Sequence, residues 1–129
     1  MRINEMNPQE KSALLTKAMG WRYGVVGDDA IGGAAWATLR DSSEELIWRD
    51  IFTVAPLLEN YPRVNLYYPA NMALAKRAIE WGAANIPEFK KTLNLIGSNM
   101  WILPGGVTEL LDEILSMLIE AGLVEVNDV

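Results

Sequence analysis

The chain holds 129 residues, half of them apolar and 22% charged, with a formal net charge of −6, the profile of a folded domain and not of a disordered tail or a membrane protein. It contains neither cysteine nor histidine, which removes thiol nucleophiles, imidazole bases, Ser-His-Asp triads, zinc sites, iron-sulfur clusters and haem attachment together.

A chain of this size buries roughly two thirds of the surface it exposes when unfolded. One α+β domain over residues 1–129 is therefore expected, with residues 1–6 flexible and no cofactor required. The start carries no apolar leader and no stretch approaches the roughly 18 apolar residues of a membrane span, so the expected compartment is the cytoplasm. Net negative charge argues against a duplex nucleic-acid surface, which needs clustered Lys and Arg. The charge is also uneven. Residues 1–103 balance eleven basic against eleven acidic side chains, and the excess lies in Glu109, Asp112, Glu113, Glu120, Glu125 and Asp128. The acid is a local feature.

In chain order, Asn7 as cap, Pro8 in the first turn, Glu10 at the capping-box position and Gly20 as terminator predict a helix over 8–19. Leu14, Leu15, Ala18 and Met19 share one arc of it, with Gln9, Ala13, Thr16 and Lys17 opposite. Trp21–Val26 and Ala34–Leu39 read as short strands between Gly and Asp turn residues, and a hairpin is expected. Leu46–Phe52 reads as a third strand, the alternative being a short helix capped by Ser43. Residues 55–68, with Pro56 and Pro62, form an irregular connection, after which Pro69 opens a long helix to about Asn85. Its stripe of Met72, Ala75, Ile79, Gly82 and Ile86, widened by Leu74, Ala78 and Trp81, predicts a largely buried element.

Pro87 ends that helix, and residues 88–95 predict another short one. Pro104-Gly105-Gly106 stops the apolar run Met100–Leu103, and Val107–Ala121 then reads as a helix closed by Gly122. Val107, Leu110, Leu111, Ile114, Leu115, Met117, Leu118 and Ala121 make its apolar arc. Glu109, Asp112, Glu113, Ser116 and Glu120 form a narrow acidic stripe opposite. Leu123–Val126 is expected to add a closing strand, giving a mainly antiparallel sheet of three to five strands covered by three main helices.

Several groups invite a chemical reading. Asp28 and Asp29 in a turn, with Asp50, could hold Mg²⁺ as a small metal-dependent hydrolase would, although Asp beside Gly is ordinary turn chemistry. Gly24, Gly27, Gly32 and Gly33 match no phosphate-loop pattern and suit turns and bulges. Asp41, Glu44, Glu45 and Asp50 lie in a polar stretch where nothing raises one carboxyl pKa against another. The tryptophans, Trp21, Trp36, Trp48, Trp81 and Trp101, could be stacking platforms, but each falls in a segment whose pattern points to core packing.

Three motifs carry a resemblance. Ala18-Met19-Gly20-Trp21 closing the first helix, Asn65-Leu66-Tyr67-Tyr68-Pro69-Ala70-Asn71-Met72-Ala73-Leu74-Ala75 opening the long one, and Ile119-Glu120-Ala121-Gly122-Leu123-Val124-Glu125-Val126 together resemble small bacteriophage and prophage accessory proteins, some of them described as αβα sandwiches. The resemblance implies a layered α/β fold and a phage-linked origin, with no activity or functional residue to carry over. The expected function is accordingly non-enzymatic: protein contacts, directed at a host factor, made through Glu109, Asp112, Glu113 and Glu120 against a basic partner. The alternatives are the Asp28/Asp29 hydrolase and a self-assembling structural protein.

Overall fold

The computed structural model describes residues 3–27, 34–53, 64–96 and 104–124. The fold is α+β, and the chain clusters into two units, a helical one from Met1–Met19 with Asn65–Val129 and a sheet-bearing one from Gly20–Val64. The helical unit contains α1 (Pro8–Ala18), α2 (Met72–Asn85), α3 (Pro87–Ile96) and α4 (Pro104–Glu120), with single 3-10 turns at Ile3–Glu5 and Pro69–Asn71. The other unit contains β1 (Arg22–Gly27), β2 (Ala34–Arg40) and β3 (Leu46–Thr53).

In the helical unit α4 is the hub, packed against α1, α2 and α3. Its Val107, Leu110, Leu111, Ile114, Leu115 and Leu118 are buried with Leu14 and Leu15 of α1, Ala75, Ala78 and Ile79 of α2, and Phe89 of α3. These are the apolar arcs that the 3.6-residue period marks out. The Asn7 cap is in place, its Oδ1 accepting the Glu10 N–H at 2.8 Å. Gly20 and Gly122 adopt φ of +75° and +72° past the ends of α1 and α4, the left-handed conformation that glycine takes without steric penalty.

Four expectations about helices need correction. Thr16 is buried and not solvent-facing: its hydroxyl is satisfied internally by donating to the Ala13 carbonyl at 3.1 Å, so it can join the packed side of α1. The long helix does not start as an α-helix at Pro69, because Pro69–Asn71 is a 3-10 turn that precedes Met72. Pro104, Gly105 and Gly106 belong to α4 and do not stop before it. Proline suits the first helical position, and the first-turn N–H groups need no helical acceptor. Ala121, placed on the apolar arc by periodicity, is exposed, since it stands at the helix end where the arc has no further neighbour.

The strand expected over 123–126 is also not formed at Leu123 and Val124, which make a bend. Leu123 donates its N–H back to the Leu118 carbonyl and Gly122 donates to Ile119, both at 3.0 Å. This double closure ties the residue that would open the strand to the end of α4. Residues 125–126 lie outside the described residues.

In the second unit the strands form an antiparallel sheet in the order β1-β2-β3. Tyr23, Leu39 and Trp48 stand in one row of its register, and the Tyr23 and Trp48 rings meet edge to face at a centroid distance of 6.4 Å. Leu39 and Ala37 on that face are buried. Residues 46–53 are a strand and not a helix capped by Ser43, because Asp41 organises the turn before them. Its Oδ1 accepts from the Ser43 N–H, the Ser43 hydroxyl and the Glu45 N–H at 2.9, 2.6 and 3.0 Å. A register shift at Leu39/Arg40 pairs Arg40 with Leu46 and leaves Ile47 as the extra residue of a bulge.

Candidate functional site

The acidic stripe lies on the side of α4 away from its buried arc. Glu109, Glu113 and Glu120 are exposed, Ser116 is half-buried, and the spacing places them on successive turns. No described cation pairs with these three glutamates. Glu109 and Glu113, four residues apart, repel each other by a few tenths of a kcal/mol.

Asp112 differs from its neighbours. The Lys11 ammonium of α1 donates to its Oδ1 at 3.0 Å, and the Tyr67 hydroxyl donates to the same oxygen at 2.7 Å. Lys11 also lies over the Tyr67 ring, 5.2 Å from its centroid, so the three groups close a triangle of ion pair, charged hydrogen bond and cation–π contact. The sequence-based view of Asp112 as an unopposed surface acid is therefore corrected. Its partners are 101 and 45 residues away in the chain, and no local pattern links them. Burial, then the hydrogen bond and the charge of Asp112, push the Tyr67 phenol far above its ordinary pKa. The phenol stays protonated, a fixed donor and not a base.

Sequence reasoning also missed Ser12. This fully buried residue donates from its hydroxyl to the Pro8 carbonyl at 2.8 Å and accepts the Leu66 N–H at 2.9 Å. Asn65 completes the anchorage of that segment, its Oδ1 accepting the Tyr67 N–H and its carbonyl accepting from Asn71 Nδ2, both at 2.9 Å. The 65–71 segment is thus held before α2 begins, although Tyr68 supplies no capping bond.

With the first turn of α4 this segment forms a cleft of about 250 Å³ lined by Leu66, Tyr67, Tyr68, Pro69, Met72, Val107 and Thr108. Tyr68 is 58% exposed on its rim. Tyr67 belongs to both features, one side of it lining the cleft and its hydroxyl gripping Asp112. Tyr67 thus links the cleft to Asp112, and none of Glu109, Glu113 and Glu120 lines it.

The other candidates are placed as follows. Asp28 and Asp29 lie outside the described residues, and among those described no cluster of metal-ligating side chains occurs. Asp41 is committed to its turn, while Glu44, Glu45 and Asp50 are exposed. Trp21 is buried, Trp48 and Trp81 are half-buried, and the side chains of Trp36 and Trp101 lie outside the described set. No described helix is long and apolar enough to cross a membrane. Comparison with known proteins finds no protein family, no curated protein and no solved structure that matches the chain.

Proposed function

We propose that the protein is a non-enzymatic accessory protein that acts through protein contacts, with the exposed acids of α4 receiving a basic partner. The observation that carries this reading is the row Glu109, Glu113 and Glu120, exposed on one helix and paired with no described cation. Asp112 takes no direct part, because Lys11 and Tyr67 hold it; its role is to fix α1 and the 65–71 segment against α4. The cleft lined by Tyr67 and Val107 suits an apolar side chain, so a partner that also engages it presents such a side chain together with Lys or Arg. In the phage or prophage setting that the sequence motifs suggest, that partner is a host factor met in the cytoplasm.

The test is affinity capture from host lysate with the wild type and with a Glu113→Lys/Glu120→Lys variant. Both positions are exposed, so the variant should fold normally. A protein held by the wild type and lost from the variant, with binding that weakens as salt rises, is the expected result. Identical captured sets for the two proteins would remove the acidic row from the mechanism.

A further inference from the structure

The cleft between the 65–71 segment and the first turn of α4 presents a dry wall. The Leu66 N–H donates to Ser12 Oγ at 2.9 Å, the Tyr67 N–H to Asn65 Oδ1 at 2.9 Å, the Tyr68 N–H to the Asn65 carbonyl at 3.2 Å and the Tyr67 hydroxyl to Asp112 at 2.7 Å. Pro69 has no N–H to offer. From Leu66 to Pro69 the donor left over is the hydroxyl of the exposed Tyr68. Tyr67 therefore shows the cleft its ring, held in place by the hydroxyl at its far end.

The electrostatics favour a neutral occupant. None of the seven residues that line the cleft is ionised at neutral pH, so an ion entering it would shed its hydration without a counter-charge. Asp112, the carboxylate that touches the wall through Tyr67, is neutralised by Lys11 at 3.0 Å. The Lys11 ammonium also lies 5.2 Å from the centroid of the Tyr67 ring, so a second cation on that ring would meet like-charge repulsion.

Size narrows the class further. An apolar cavity of about 150 Å³ takes benzene. At about 250 Å³ the cleft is roughly 1.7 times larger, room for two fused rings and less than a drug-sized molecule fills. Tyrosine rings favour an aromatic partner in offset or edge contact, and a thioether such as that of Met72 favours one at its ring edge.

We propose that this cleft is a binding site for a neutral fused-ring aromatic group of the indole class, seated against Tyr67, Tyr68 and Met72. The site goes beyond the reading of α4 as an acidic contact surface and does not depend on it. The hydrogen bonds of the 65–71 segment set its walls before the ligand arrives, and a preformed site loses little affinity to ordering.

Amide NMR of the full chain titrated with indole is the test. Saturable shifts at Tyr67, Tyr68, Met72 and Val107 are expected, with a Kd of about 0.1 to 1 mM for a ligand of about nine non-hydrogen atoms. Tyr68→Ala removes an exposed wall that makes no capping bond, so the fold is kept and binding should weaken at least about fivefold. Phenol and cyclohexanol are matched in size, and phenol should bind at least about threefold tighter through its ring. N-acetyl-tryptophanamide carries the indole ring on a peptide unit. Binding as tight as that of indole assigns the ring to a side chain of a protein partner, and binding about tenfold weaker assigns it to a free molecule.

The Glu113→Lys/Glu120→Lys variant should bind indole as the wild type does, so this site and the acidic row can fail separately. Absence of saturable shifts, full affinity in Tyr68→Ala or equal binding of phenol and cyclohexanol would overturn the proposal. So would shifts centred on Leu14, Ala18 and Leu123, which line a second cleft of the helical unit.

Discussion

Gly82 of α2 and Ile114 of α4 approach so closely that any side chain at position 82 would force a neighbour to shift: a Cβ there would lie 2.8 Å from Ile114 Cδ1 and 3.0 Å from Phe89 Cδ2. Two effects compete when Gly82→Ala is made. Removing a mid-helix glycine stabilises by about 1 kcal/mol, whereas overpacking a closed core costs about 1 to 3 kcal/mol. Ile114 and Phe89 are fully buried, so the packing effect should prevail, with a net loss of up to about 2 kcal/mol in urea unfolding. A variant more stable than the wild type would show that Ile114 has an alternative rotamer to move into.

Ser12→Ala removes the acceptor of the Leu66 N–H inside the helical unit. A buried donor left without a partner costs about 1 to 3 kcal/mol, against which alanine returns a few tenths through helix propensity. The expected loss is about 1 to 2 kcal/mol. Hydrogen exchange should also show faster exchange at Leu66 than in the wild type, and an unchanged rate there would mean that water replaces the hydroxyl.

Tyr67→Phe deletes the hydroxyl that grips Asp112. Because the Asp112 side chain is 41% exposed, the loss should be near the lower end of the range for a charged hydrogen bond, about 1 kcal/mol. The pH dependence is more diagnostic. The folded phenol keeps its proton above the pH, about 10, at which an unfolded tyrosine gives it up, so the native state binds more protons there and stability falls as pH rises. Below about pH 10 the contribution is fully present. Denaturation between pH 9 and 11 should show the wild type losing stability more steeply than Tyr67→Phe, and parallel curves would count against the buried phenol.

Leu118→Ala and Ile79→Ala each empty a fully buried site in the helical unit and should cost about 2 to 5 kcal/mol. Ser116→Ala, on the half-buried side of α4, should change stability by less than about 0.5 kcal/mol. Similar losses at all three sites in thermal unfolding would mean that the packed face of α4 is not the one described.

The α+β class, the helices and the three strands were legible in the residues because each rests on local physics. Asn7 and Pro8 start a helix through bonds that span three residues, Gly20 and Gly122 end helices through their own φ, and the apolar period of Val107 to Leu118 selects the packed face wherever that face docks. Tertiary structure decided what depends on partners distant in the chain. The pattern alone placed Thr16 in solvent, left Ser12 without a role and gave Asp112 the same standing as Glu113. Lys11 and Tyr67 reach Asp112, and Leu66 reaches Ser12, across 45 to 101 positions of sequence, and periodicity records which face of a helix is covered but not which side chain from another element covers it. The sheet follows the same rule: only the strand register brings Tyr23, Leu39 and Trp48 into one row.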